Sequence, residues 1–380
     1  VSSVSIVVCS HLVERFVFLE AALNSLRHQT RKPDQVVVVV DGDDALLTRL
    51  HERDGDELIL STGGRTGLSN ARNTGIAAVE TDFVAFLDDD ATAEPDWLEC
   101  LVAVADADDE ILGVGGRAQP VWDGLPPAWF PDEMLWTVGC SHQGLPVMRA
   151  PVRNVFGGCA LFRRRLFDEV GGFDDRLGRK ARGAGGCEET EFCIRARTVA
   201  GGGVFIYEPA AVIHHRVHRS RRSPWYVLRR CREEGRSKAA LRAITKSAGE
   251  SRARDGQPGN GGCVMPQPVL GPERDYLLRV LPRGVLAGLW PAVRGRPAGL
   301  GRASLLLAGS VVTAASFAKA VVSGKIRRQA SDRDGIDAAG AGSRTTAHSP
   351  LAPSRSLPAD QRPPPVAPRA MDSHGSQAGR

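Results

Sequence analysis

Residues 82–90 read Asp-Phe-Val-Ala-Phe-Leu-Asp-Asp-Asp. The apolar run Asp82–Leu87 is the length of a buried strand, and Asp88, Asp89 and Asp90 mark its C-terminal tip. Working outward, Val4–Cys9 (VSIVVC) and Gln35–Val40 (QVVVVV) are runs of the same kind, apolar on both faces, as inside a parallel sheet. Glu57–Ser61 is a further short strand. Between them, Glu14–His28 spaces Phe16, Leu19, Leu23 and Leu26 three and four apart, one face of a helix, which ends before Lys32-Pro33. Leu68–Val79 is a second helix. Pro95 opens a third, with Trp97, Leu98, Leu101 and Val102 turned inward. Strand and helix alternate, so the first hundred residues predict an α/β, doubly wound, mostly parallel sheet.

The rest of the chain is less regular. Gly113–Arg153, rich in Pro, Gly and Trp, reads as loops over a cleft. Phe156–Phe162, Val204–Tyr207 and Ala210–Ile213 read as strands, and Trp225–Ile244 as a basic helix. Ala248–Gly262 is a polar linker. Tyr276–Val293 is amphipathic, carrying Arg279 and Arg283. Ser304–Val322 is apolar except for Lys319; it is barely long enough to span a bilayer and reads better as an interfacial or protein-packed helix. Beyond Arg328 there is no hydrophobic pattern, and seven prolines fall between Pro350 and Pro368, the composition of a disordered tail. The expected divisions are a catalytic domain over 1–245 (a nucleotide-binding half to 110, an acceptor half over 111–222, a basic helix over 223–245), a linker over 246–272, an apolar helical, membrane-associating region over 273–327, and the tail over 328–380.

A net charge of +5 on 380 residues is too small to argue for a nucleic-acid partner. The excess is clustered in His214–Arg222 and Lys325–Arg328, which suits an anionic membrane surface. The eight cysteines form no C-x-x-C pair and read as free thiols in a reducing compartment. No G-x-G-x-x-G follows a strand, which argues against a dinucleotide dehydrogenase.

Open α/β sheets bind ligands at the carboxyl ends of their strands. Three adjacent carboxylates repel one another, and a cation compensates them; oxygen ligands select Mg²⁺ or Mn²⁺. The competing reading is a solvated acidic turn. Asp41 ends the second strand in the same row of tips, and Cys9-Ser10-His11 ends the first. Thr66–Ile76 (TGLSNARNTGI) is a Gly-led turn into a helix whose Arg72 could meet a phosphate or a base.

The order of these segments resembles glycosyltransferase family 2, whose members have the GT-A fold. The resemblance implies a nucleotide-sugar site at Ser10, His11, Asp41, Gly67, Arg72, Asp88 and Asp89. It implies a metal site, for Mn²⁺ or Mg²⁺, at Asp88 and Asp90, completed by a histidine after a later strand. His215 fits that place, with His214 the alternative. Gly157–Phe173 resembles the segment before the family's acceptor site. In Gly186–Cys193 (GCEETEFC) Glu189 falls where the family has its general base, with Glu188 and Glu191 orienting it or binding acceptor. Trp136–Pro146, Pro151–Phe156 and Arg229–Lys238 are similar to a subset of actinobacterial members and, more distantly, archaeal enzymes that add glucuronate to a sugar on dolichyl phosphate. That adds Trp136, Arg153 and Asn154 on the acceptor side. The implied activity is inverting transfer from a nucleotide-diphosphate sugar to a glycan or polyprenyl-linked acceptor, on the cytoplasmic side of the plasma membrane and in peripheral contact with it. The rivals are a sugar nucleotidyltransferase, though the Gly-rich basic loop of that class is replaced by Ser10–Val13, and a non-catalytic glycan- or nucleotide-binding protein.

Overall fold

The structure, a computed structural model, describes residues 2–180, 183–254, 270–294 and 297–341. Nine strands form one sheet in the order β3-β2-β1-β4-β8-β6-β11-β5, with β7 pairing β11. The parallel half is β1 (Val4–Ser10), β2 (Gln35–Val40), β3 (Leu58–Ser61) and β4 (Phe83–Asp88). Beyond β4 the direction is mixed. β5 (Ala91–Ala93), β7 (Ala150–Val152) and β8 (Cys159–Arg163) run against β6 (Ile111–Trp122) and β11 (Val204–Val217), which are parallel to each other. A separate two-stranded sheet joins β9 (Arg179–Lys180) to β10 (Gly183–Ala184).

Period-two alternation in β1 explains why its run is apolar throughout. Val4, Ile6 and Val8 face one core, with α1 (Phe16–Arg27), α2 (Asp44–His51) and α4 (Trp97–Ala105) over it. Val7 faces another, covered by α3 (Leu68–Ala77), α5 (Arg165–Val170) and α6 (Glu188–Val199). Phe86, Phe162, Phe167, Phe173, Phe192 and Phe205 pack there edge to face, with Phe167 stacked on Phe192 at 4.6 Å.

Several elements differ from the expectations. Of Gly113–Arg153, expected as loops, residues 113–122 belong to the long strand β6 and 150–152 form β7. The glycines of β6 are requirements of close packing: a Cβ on Gly116 would stand 2.3 Å from the Ala211 carbonyl oxygen and 2.6 Å from Cys159 Sγ. Helix α2 went unread; Asp43 caps it, its side chain accepting from the Leu46 amide at 2.9 Å.

The C-terminal helices are α7 (Pro224–Arg254), α8 (Gly271–Asp275), a π-helical turn over Tyr276–Val280, α9 (Leu281–Val293) and α10 (Pro297–Ala341). Thus α7 runs into the segment expected to be linker, and helix continues past Arg328, where the tail was expected. The remainder of both, 255–269 and 342–380, lies outside the described residues. A third core holds Leu281, Leu305 and Leu306 against Phe130, Met134, Val227 and Cys231. Residues 297–324 are long and apolar enough to cross a membrane, and 17% of the apolar window is buried inside the protein. All seven described cysteines are free.

If β6 is a packed strand, Gly116→Ala should lower stability by about 1–3 kcal/mol through overpacking, read by chemical denaturation. An unchanged midpoint would return 111–122 to a loop.

Candidate active site

Pairing of β11 with β5 builds the centre of the site. The register sets His215 opposite Ala91 and His214 opposite Thr92, so adjacent histidines face opposite sides. His214 turns outward, its Nε2 2.5 Å from Glu94 Oε1. His215 is 2% exposed and turns inward, its Nε2 3.2 Å from Asp90 Oδ1 and 3.8 Å from Asp88 Oδ2. Strand alternation thereby separates two histidines that the sequence left as alternatives.

Asp88, Asp90 and His215 offer ligand atoms that all lie within 4.8 Å of one another. Burial lowers the His215 pKa, against the pull of Asp90 and Asp88, so its imidazole is neutral at neutral pH and free to donate a lone pair. Two carboxylates and an imidazole suit Mn²⁺ or Mg²⁺. The room beside them is enforced: Gly139 has φ +87°, and a Cβ there would stand 3.0 Å from His215 Nε2.

Much of the charge compensation comes from residues the motifs did not reveal. Arg15 bridges Asp89 Oδ1 at 2.5 Å and Asp90 Oδ2 at 2.7 Å, and Arg221 reaches Asp90 Oδ2 at 3.3 Å. Burial would raise Asp90, but His215, Arg15 and Arg221 together hold its pKa down to about 2. Asp89 is more enclosed. Burial pushes its carboxyl up to about 7 despite Arg15, and it accepts a 2.5 Å hydrogen bond from the Ser10 hydroxyl. Ser10 and Asp89 therefore sit together beneath the strand tips, both buried. His11 lies exposed beside them. Asp41 receives the Gly67 amide at 2.8 Å, fixing the turn that opens α3 at φ +127°.

Arg72, on α3, is 4% exposed and donates to Glu188 Oε1 at 2.9 Å. It lines the cleft from below, paired with the acceptor-side carboxylate. Glu188 and Glu189 begin α6, held by Phe192 in the aromatic core and preceded by Cys187 in the left-handed region (φ 71°), a conformation that stores strain in a non-glycine residue. Among the described residues, Glu188 Oε2 and Glu189 Oε2 are buried and have no hydrogen-bond partner. Burial, with Glu188 adding, pushes the Glu189 carboxyl up to about 8 against Arg72. Glu191 is placed elsewhere, which corrects the expectation for it. Two residues from Glu189, it lies across the helix and pairs with Arg195 at 2.8 Å, tying α6 to the carbonyl of Gly172.

A cavity of about 990 Å³ joins these parts. Asp88, Arg72, Glu188, Glu189, Trp136, Arg153 and Asn154 all line it. Trp136 Nε1 donates to the Tyr276 hydroxyl at 3.4 Å, and Arg153 Nε donates to Asn154 Oδ1 at 2.9 Å.

The sequence profile of Glycosyl transferase family 2 matches residues 5–171. The chain is 34% identical over 252 residues, 66% of its own length and 80% of the relative's, to a glucosyl-dolichyl phosphate glucuronosyltransferase of Haloferax volcanii. It is 25% identical to an N-acetylglucosaminyl-diphospho-decaprenol L-rhamnosyltransferase of Mycobacterium tuberculosis, over 54% of this chain and 74% of that one. Among solved structures, a mannosyltransferase of Pyrobaculum calidifontis in complex with GDP-Man and Mn²⁺ superposes with a TM-score of 0.50 at 17% identity, covering 82% of this chain and 87% of that one. The fold it shares is GT-A.

If the three ligands act together, Asp90→Asn and His215→Ala should each weaken Mn²⁺ binding at least about tenfold in a calorimetric titration. His214→Ala, on the opposite face, should leave it unchanged. Equal loss from either histidine would undo the assignment.

Proposed function

The chain belongs to glycosyl transferase family 2 and is a glycosyltransferase, and from that premise we propose that it performs a metal-dependent, inverting transfer of a sugar from a nucleoside diphosphate to a hydroxyl of a lipid-linked saccharide. One observation carries the reading: Glu189, whose buried Oε2 has no hydrogen-bond partner among the described residues, lines the same cavity as Asp88 of the Asp88–Asp90–His215 cluster.

An acceptor hydroxyl would satisfy Glu189 Oε2. The carboxylate takes the hydroxyl proton, the oxygen forms its bond to the anomeric carbon, and the bond from that carbon to the diphosphate oxygen breaks with its electron pair leaving on the diphosphate. Attack from the face opposite the departing group inverts the centre. Asp88, Asp90 and His215 would hold a divalent cation, which would supply positive charge to the departing diphosphate. Arg15 and Arg221 hold Asp90 ionised for that task, and Arg72 fixes Glu188 so that it orients its neighbour. Ser10, His11, Asp41, Gly67 and Asp89 form the nucleotide end.

Membrane contact is supported by one surface. Leu278, Leu286, Trp290 and Val293 are exposed along the turn and α9, as are Leu307 and Val311 on α10, with Arg279, Arg283 and Arg294 interspersed. Exposed apolar side chains with arginines among them along these helices fit the interface of an anionic bilayer better than bulk water. A cytoplasmic-face location follows from this reading.

Release of free nucleoside diphosphate from UDP-, GDP- and dTDP-sugars, with Mn²⁺, Mg²⁺ or EDTA and a polyprenyl-linked acceptor, tests the transferase mechanism. Asp90→Ala should cost on the order of 10² or more in rate, and Glu189→Gln on the order of 10²–10⁴. Metal-independent turnover would overturn the role of the cluster.

The pH profile tests the base. Glu189 acts only when ionised, and its carboxyl is raised to about 8. The rate should therefore plateau above that pH and fall tenfold per unit below it; a flat profile from pH 6 to 9 would remove Glu189 from the role.

For the membrane surface, the measurement is flotation with phosphatidylglycerol vesicles. Wild type should float, and the double variant Trp290→Glu, Val293→Glu should not. Equal flotation would move the contact elsewhere.

A further inference from the structure

In the wall of the same cavity, a carboxylate from α8 reaches two cations from distant parts of the chain. Arg153 grips Glu273 with both terminal nitrogens, at 2.6 and 2.8 Å, and Lys238 of α7 meets the same carboxylate at 2.7 Å. A forked guanidinium opposite an ammonium, both on neighbouring oxygens of one anion, is also the arrangement that recognises phosphate. The Arg153 side chain is 8% exposed and that of Lys238 12%, so both charges are largely withdrawn from water. Such cations are costly unless an anion accompanies them. Glu273 is that anion here. Burial would raise its pKa, but Lys238 and Arg153 hold it down to about 2.

The cluster belongs to the same cavity as the carboxylate assigned as base. The link is short: Glu234 Oε1 lies 3.2 Å from Lys238 Nζ and 4.0 Å from Cys187 Sγ, and Cys187 directly precedes Glu188 and Glu189. Leu277, Val280 and Leu281 also line the cavity, and Leu277 is half exposed, leading to the apolar surface of α9. Reaction carboxylate, cation pair and apolar side chains thus line one cavity. An amphiphile with a hydroxyl-bearing head, an anionic joint and an apolar tail carries a group to match each.

We propose that Arg153 and Lys238 form the subsite for the phosphodiester of the lipid-linked acceptor, and that Glu273 fills it as an internal carboxylate which the acceptor displaces. The proposal rests on the lipid-linked acceptor reading above. It makes Glu273 a competitor of the substrate, so removing its charge should tighten binding, the opposite of what loss of an ordinary stabilising ion pair would do.

The test uses the full chain and three probes: farnesyl methyl phosphate (a lipid phosphodiester), farnesol as its phosphate-free control, and inorganic phosphate as its lipid-free control. Affinities are read by tryptophan fluorescence for wild type, Arg153→Gln and Glu273→Gln. The diester should bind Glu273→Gln several-fold more tightly than wild type and Arg153→Gln at least about tenfold more weakly, while farnesol binds all three alike. Should Glu273→Gln fail to fold, Glu273→Asp, which draws the carboxylate back by one methylene, should shift affinity in the same direction. Equal diester affinities, or farnesol affinities that move in parallel with them, would overturn the subsite. Inorganic phosphate binding as tightly as the diester, with the same dependence on the variants, would overturn its assignment to a lipid. Nucleoside diphosphate release by wild type is read separately: its absence alongside the expected binding pattern would reject transfer and leave the subsite standing.

Discussion

Three consecutive carboxylates at the tip of β4 are the constraint around which this protein is organised. Asp88, Asp89 and Asp90 must be held close at the end of a buried strand, where mutual repulsion and desolvation both oppose their ionisation. The fold answers with groups drawn from four places. Ser10 comes from the end of β1, Arg15 from the turn before α1, His215 from β11 and Arg221 from the turn after it. The three carboxylates then divide. Asp90, with three cationic or imidazole neighbours, stays ionised, whereas Asp89 is buried and its pKa rises. Asp88 remains partly open toward the cleft, where Gly158 leaves it room: a Cβ there would stand 2.2 Å from Asp88 Oδ2. One triplet thus supplies both a structural anchor, Asp89, and two candidate metal ligands, Asp88 and Asp90.

The carboxylate proposed as general base depends on a different balance. Glu189 needs a high proton affinity and a rigid seat, requirements that pull against each other, since a solvated carboxylate is a weak base and a buried one is costly. Phe192 locks α6 into the aromatic core, and Arg72 takes up one oxygen of Glu188, which among the described residues leaves Glu189 without a cationic partner of its own in the proposed role. The left-handed Cys187 aims the first turn of the helix into the cleft. Local strain is tolerated because the helix it introduces is held elsewhere.

How much of this was legible follows from the range over which each signal acts. β1, β2 and β4 could be read because both of their faces are buried, which writes continuous apolar runs into the sequence. β6 could not: its glycines make close contact with neighbouring strands possible, and the same composition elsewhere marks a loop. The Asp88 and Asp90 ligands and Glu189 lie in compact motifs. His215 could be separated from His214 only by the register of β11 on β5. Arg15 and Arg221 left no local trace, because nothing in sequence spacing relates positions 15, 90 and 221; the contact is made by topology alone. Glu191 was grouped with its neighbours by proximity in sequence, and helical periodicity turned it away.

The C-terminal helices join the two ends of the argument. An apolar helix faces a choice between a protein core and a lipid phase, and α9 and α10 meet both: Leu281, Leu305 and Leu306 pack against Phe130 and Met134, while Trp290, Val293 and Val311 remain exposed. The packed side places the π-helical turn and α8 over the acceptor end of the cavity, where Tyr276 bonds the Glu133 carbonyl at 2.7 Å and Glu273 meets Arg153. The exposed side faces whatever surface the protein rests on. Both belong to one short stretch of chain, so under the proposed membrane contact the residues that meet the surface and the carboxylate that meets Arg153 are covalently close, and a change at one is carried to the other through α8 and the π-helical turn.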